Sequence, residues 1–181
     1  AENYIAAIQM DGDKMGAILS AKHHNPEFFT RFSKKLANFT RERAGKIIEN
    51  HKGVLVYGGG DDVLALLPAC EAIPCAIELR NAFCEDNPDM PGSEKNLADE
   101  VAKVTLSAGI SFCHWKTPLS WLLNGARAAE HRAKELYDRD ALAINIYKRS
   151  GEILLWGAKF DSPGWELFHQ FAALDRAETI S

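Results

Sequence analysis

Apolar positions along this chain follow two rhythms. Some are short runs rich in β-formers that end in glycine or aspartate, and others repeat every three or four residues. Tyr4 to Met10 (YIAAIQM) is a run of the first kind, stopped by Asp11-Gly12-Asp13, and reads as a buried strand ending in a turn. Asn25-Pro26 then offers an N-cap followed by proline at the first helical position. Phe28, Phe32, Leu36 and Phe39 follow at spacings of four, four and three, and Ile47 and Ile48 continue the stripe. The spacing predicts one amphipathic helix that ends near Asn50 to Gly53.

Two further β-runs, Val54 to Tyr57 and Val63 to Leu67, flank Gly58-Gly59-Gly60-Asp61-Asp62 and read as a hairpin closed by Pro68. A helix is expected over Glu71 to Phe83, and Glu85 to Lys95 is the most loop-like stretch. Val104 to Phe112 reads as a strand with Gly109 as a candidate interruption. Pro118 to Tyr137 reads as a helix with Leu122, Ala126, Ala129 and Ala133 on one stripe. Ala141 to Tyr147 is a last core strand, followed by a turn at Lys148 to Gly151. The order is that of an α+β, ferredoxin-like βαββαβ fold with an addition. Residues 1–150 form the expected domain. Residues 151–181, with Trp156, Trp165, Phe168 and Phe171, form a C-terminal extension read as a hairpin and helix packing on it or on a neighbour.

Composition narrows the reading. The 181 residues carry 21 Lys+Arg and 25 Asp+Glu, a formal charge of −4. Hydrophobic residues make up 46% and charged residues 25%, which is ordinary globular usage and excludes collagen-like, coiled-coil or disordered chains. No apolar run approaches the ~20 residues that span a bilayer, and no secretory leader pattern opens the chain. The broad basic footprint of a duplex-DNA binder is absent. Cys70, Cys75, Cys84 and Cys113 form no Cys-x-x-Cys pair and read as free thiols of a reducing cytoplasm.

The candidate chemistry lies in two acidic turns, Asp11-Gly12-Asp13 and Asp61-Asp62. Either alone is ordinary turn chemistry. In a βαββαβ sheet, however, the first strand lies beside the central hairpin, so the two turns can face each other. Carboxylates clustered in this way need cations. Hard oxygen ligands together with substrate phosphates favour magnesium or manganese. Two such ions about 3.5–4 Å apart activate a hydroxyl and stabilise a leaving pyrophosphate.

Three segments carry a resemblance. YGGGDDVLALLP, with Gly59-Gly60-Asp61-Asp62, resembles the signature of the CRISPR polymerases, the palm domains in the large subunit of type III CRISPR effector complexes. YIAAIQMDGDKMG resembles the family's Asp-x-Asp-x-Met-Gly turn, and ALAINIYKRSGE its late strand and turn. The resemblance runs from Tyr4 to Glu152 and looks closest to the second palm of the Cmr-type subunit or to a compact stand-alone CRISPR polymerase. VTLSAGI and ARAAEHRAK also resemble segments of GGDEF diguanylate cyclases. Met15, Gly16 and Leu19 replace the cyclase residues at their positions, including the guanine-reading asparagine, so the resemblance implies adenine.

The resemblance implies that Asp11, Asp61 and Asp62 are catalytic and, with the Gly12 carbonyl, hold two Mg2+ or Mn2+ ions. The amides of Gly12, Asp13, Lys14, Met15 and Gly16 would cradle the triphosphate of ATP, beside Gly59 and Gly60. Lys134 would reach a β- or γ-phosphate, against its plainer reading as a solvated helix lysine. The implied reaction converts ATP to cyclic or linear oligoadenylate and requires a second palm, by homodimerisation or within a larger CRISPR complex. A nucleotide-binding palm inactive alone, and a cyclase making a cyclic mono- or dinucleotide, are the alternatives. His23-His24, His114-Trp115 and Trp121 carry weaker ligand signals, and Lys34-Lys35 and Arg41-Arg43 read as a wet helix face. The chain has no Gly-x-Ser-x-Gly string, no Walker lysine motif and no counterpart of the family's His-Asp nuclease domain.

Overall fold

A computed structural model describes residues 3–21, 26–86 and 104–164. The expected helix N-cap at Asn25, the pair His23-His24, most of the Glu85–Lys95 loop and the aromatic positions from Trp165 onward lie outside the described residues.

Six strands form one sheet: β1 (Tyr4–Gly12), β2 (Val54–Gly59), β3 (Asp62–Pro68), β4 (Leu106–His114), β5 (Ala141–Tyr147) and β6 (Ile153–Lys159). Their order is β2-β3-β1-β4-β5-β6. The first four strands stand in the βαββαβ arrangement, with β1 antiparallel to both β3 and β4. β5 is parallel to β4, which requires a crossover, and α5 (Leu119–Glu135) supplies it. β6 pairs antiparallel with β5, so this part of the expected extension is a strand of the same sheet.

The remaining helices are α1 (Met15–Ala21), α2 (Pro26–Asn38), α3 (Gly45–Asn50) and α4 (Ala72–Asp86). The single helix expected over Pro26–Asn50 is continuous in course but contains a π-helical segment at Phe39–Ala44. The wider turn alters the 3.6-residue rhythm that the apolar spacing shows. α2, the π segment, α3 and α4 cover one sheet face. Phe32, Phe39, Ile48, Leu79 and Phe83 there pack on Ile8, Met10, Val63, Leu106, Ile110 and Ile144.

The other face belongs to α5. Leu122, Ala126, Ala129 and Ala133 are all buried, as the stripe predicts. These side chains are small because the helix lies directly on the sheet. A Cβ added at Gly109 would lie 2.0 Å from Glu130 N and 2.2 Å from the Ala126 carbonyl oxygen. Gly109 therefore does not interrupt β4. It pairs with Gln9 on one side and Ala143 on the other, and its missing side chain is what lets α5 approach.

Candidate active site

The Asp11 end of β1 and the turn between β2 and β3 meet at one edge of the sheet. Asp11 is opposite Ser107 and Gly12 opposite Leu106, at the last rungs of the β1–β4 ladder. The hairpin turn is tight: Gly59 pairs with Asp62, leaving Gly60 and Asp61 as the loop. Gly60 takes a φ of +65°, a conformation glycine adopts without steric cost. Thr40, in the π segment, holds this turn from behind. Its hydroxyl lies 2.9 Å from the Gly60 carbonyl oxygen, and 2.9 Å from that of Leu36. The π segment thus presents a side chain to the acidic turn.

Gly12 is the contact point of the two turns. A Cβ there would lie 2.8 Å from both Cβ and Oδ2 of Asp61 and from Cγ of Met15. The approach of the carboxylates has an electrostatic signature. Burial, followed by the charge and hydrogen bonding of Asp11, pushes Asp62 up to about 6. Burial is also the main cause of the upward shift at Asp61, reinforced by Asp11 and opposed by a backbone hydrogen bond. Asp11, Asp61 and Asp62 therefore repel one another in a partly desolvated pocket.

One ammonium answers them. Lys134, near the end of α5, forms an ion pair with Asp11 Oδ2 and lies 3.0 Å from Glu130 Oε1. Burial alone would lower its pKa, but the two carboxylates outweigh burial and hold it above the ordinary lysine value. The plainer reading of Lys134 as a solvated lysine fails on this geometry, since its side chain is only 18% exposed.

Asp13 departs from the expected nucleotide-binding set. Its carboxylate is 3% exposed and accepts hydrogen bonds from Thr105 Oγ1 at 2.7 Å, Ser107 Oγ at 2.7 Å and the Asp140 amide at 3.0 Å. Its own amide donates to the Thr105 carbonyl at 2.9 Å, so neither group is available to a phosphate. Lys14 enters α1 with a φ of +57°, Met15 is buried, and Gly16 faces open space.

Among the described residues, no three His, Cys, Asp or Glu side chains form a ready-made metal cage. That is compatible with magnesium, which is commonly held by one or two carboxylates and completed by substrate phosphates. The all-oxygen donor set of Asp11, Asp61 and Asp62, short of positive charge, fits such an ion in part.

The aromatic candidates lie elsewhere. His114 pairs with Tyr4 at the opposite end of β1, and Trp121 packs at a tilt against Tyr147, ring centroids 6.3 Å apart. A groove of about 810 Å³ between the π segment, α3 and α4, lined by Arg43, Lys46, Ile47 and Pro74, contains none of the expected site residues. Sequence reasoning missed Thr40 and Glu130. The Glu130–Lys134 spacing of four is a visible helix ion-pair signal. The Thr40 contact spans twenty residues and leaves none.

Comparison with known proteins bears on the family and the fold. The family model "Cas10/Cmr2, second palm domain" matches residues 4–143. The CRISPR system Cmr subunit Cmr2 of Pyrococcus furiosus is 32% identical over 196 residues, covering 93% of this chain and 21% of the relative. The Cas10/Csm1 single-strand-specific deoxyribonuclease of Streptococcus thermophilus, subtype III-A, is 28% identical over 148 residues, 77% of this chain and 18% of the relative. The chain thus spans about one fifth of the length of these relatives. Among solved structures, a Csm1–Csm4 cassette in complex with cA4 shares the fold with a TM-score of 0.64 at 20% identity, covering 77% of this chain and 20% of that one. The guanylyl cyclase Cya2 shares it with a TM-score of 0.55 at 16% identity, covering 78% and 74%. The chain belongs to the Cas10/Cmr2 second palm domain family.

Proposed function

We propose that this palm is an ATP-dependent nucleotidyltransferase that makes cyclic or linear oligoadenylate in CRISPR antiviral defence. The observation that carries the reading is the meeting of Asp11, Asp61 and Asp62 around the side-chain-free Gly12, with Lys134 as their counter-charge. In this reading a ribose hydroxyl attacks the α-phosphate of a second ATP in line. The new phosphodiester forms as the bond to pyrophosphate breaks. Mg2+ or Mn2+, held by Asp11, Asp61, Asp62 and the Gly12 carbonyl, would supply the positive charge that activates the hydroxyl and stabilises pyrophosphate. Lys134 would trade Asp11 for a terminal phosphate. Gly60, with open space beside it, would let the triphosphate approach the backbone, whereas the space at Gly12 is taken by Asp61 and Met15 and that at Gly59 by the Tyr57 ring. Positioning and electrostatics supply most of the rate in such transfers. Four free cysteines suit a reducing cytoplasm, and no described helix is long and apolar enough to cross a membrane.

Joining two nucleotides needs two opposed substrates, and the described residues hold one such cluster. We therefore place the active unit in a pair of palms, a homodimer or a partner domain in a larger complex. The test is incubation with ATP and Mg2+ or Mn2+, with mass spectrometry of the products and assay of pyrophosphate. Oligoadenylate with pyrophosphate supports the reading, and a cyclic mono- or dinucleotide replaces it with the cyclase alternative. The second reading, a palm that binds ATP but turns over only beside its partner domains, is favoured by Ile153, Leu154 and Leu155, all exposed on edge strand β6. Binding without product in the chain alone, with product once the longer subunit is restored, selects it.

A further inference from the structure

Lys134 has two anionic neighbours, and only Asp11 belongs to the carboxylate cluster. The second, Glu130, sits one helical turn earlier in α5 with Oε1 3.0 Å from Nζ. Glu130 Oε1 is buried, and its charge pair with Lys134 is the polar contact that faces it among the described residues. Burying a carboxylate oxygen is costly unless a cation meets it, so this oxygen depends on Lys134 as Lys134 depends on it. The Glu130 backbone is also pinned, because its N and Cα rest against Gly109, where a Cβ would lie 2.0 and 2.7 Å away. The carboxylate therefore reaches Lys134 from a fixed base.

We infer that Glu130 is a positioning residue: it retains the Lys134 ammonium beside the Asp11–Asp61–Asp62 cluster, so that the amine that neutralises Asp11 is held for the nucleotide's terminal phosphates. The inference rests on the nucleotide reading above. Cations arriving at Asp11 take away one of the two partners of Lys134. Glu130 keeps the amine in place, whereas a lysine on a flexible four-carbon stem with no second anchor disperses among many rotamers. Glu130 also carries a negative charge that opposes phosphate directly, so the two effects have opposite signs and a measurement separates them.

The test is calorimetric titration of the 181-residue chain with a non-hydrolysable ATP analogue and Mg2+. Glu130→Gln and Lys134→Ala should each weaken binding about tenfold, the size of coupling between contacting charges. The double variant should bind no more weakly than Lys134→Ala, because Glu130 acts through that amine. Glu130→Asp, which keeps the charge, should recover part of the loss. Unchanged or tighter binding by Glu130→Gln overturns the inference, as do two losses that multiply in the double variant. Absence of binding by the unaltered chain overturns the nucleotide reading itself.

Discussion

Asp11 and Asp13 stand two residues apart, one near the end of β1 and one just beyond it, and the fold treats them in opposite ways. Asp13 is closed: three donors satisfy its carboxylate, and it helps to hold the turn between α5 and β5. That turn is strained, with Asp138, Arg139 and Asp140 at φ of +52°, +62° and +44°. Arg80 clamps it from α4 through a two-pronged contact with Asp140, at 2.9 and 2.7 Å. Asp11 is open: it faces Asp61 and Asp62, and one ammonium serves the group. A buried carboxylate with its full set of donors stabilises a fold. A group of carboxylates short of positive charge is unfavourable for the fold and useful to a ligand that brings cations. The difference gives Asp13 a structural role and leaves Asp11 free for the chemistry proposed above.

The largest effect that can break this contrast is at Asp61. On the proposed reading Asp61→Asn should abolish nucleotide transfer, by about a thousandfold or more, since it removes a carboxylate that would hold the cation. The fold should not suffer. Relief of repulsion should leave stability unchanged or raise it by about 1 kcal/mol. Rate measurement with thermal melting checks both, and a variant that melts much earlier would mean that Asp61 is closed after all.

Asp13→Ala is the mirror experiment. It strands the Thr105 and Ser107 hydroxyls and the Asp140 amide, and it loosens a strained turn. The expected loss is about 3–5 kcal/mol of stability, as when one partner of a buried charged network is removed. Urea unfolding measures it. Any residual folded fraction should still bind nucleotide, because the Asp13 side chain faces inward.

How much of this contrast could be read before folding depends on where each partner comes from. Five of the six strands and most helices follow from local alternation and helical spacing, and Ala126, Ala129 and Ala133 declare a closely packed helix, whereas β6 reads only as part of an extension. The open cluster was legible as two acidic turns because βαββαβ topology puts β1 beside β3. The closed one was not. Thr105 and Ser107 lie 92 and 94 residues from Asp13, and nothing at the Asp-Gly-Asp turn announces hydroxyls that distant. Gly109 stood as a candidate interruption because a glycine in a strand signals either a bend or a close neighbour, and only the position of α5 decides.

Gly109 supplies the next test, because the open cluster depends on how deeply α5 sits. In Gly109→Ala the new Cβ meets the backbone of Glu130 and Ala126, which cannot rotate away. The helix must lift, at about 3 kcal/mol, the upper end of ordinary overpacking. Nucleotide affinity should fall beyond what stability alone explains, since Lys134 travels with the helix. Affinity that survives in the folded fraction would separate Lys134 from helix depth.

A third acidic site, the pair Glu71 and Glu78, is closed conditionally, and its effect is the smallest. His51 Nδ1 lies 3.0 Å from Glu71 and Nε2 lies 2.9 Å from Glu78, with Lys52 also near Glu71. Both ring nitrogens can donate only in the imidazolium. Burial opposes that charge, but hydrogen bonds to the two glutamates outweigh it, and the pKa of His51 is raised above 6.5. His51 in turn holds Glu71 below its ordinary value. A raised folded pKa means that the folded state binds the proton more tightly than the unfolded chain. The stabilisation is therefore complete below pH 6.5, the unfolded value, and is lost as pH rises through the folded one. Melting temperatures across that window should decline in the native chain, and the decline should flatten in His51→Gln. An equal slope in both proteins would show that the glutamates hold their places without the histidine's charge, and would move this pair to the open class beside Asp11.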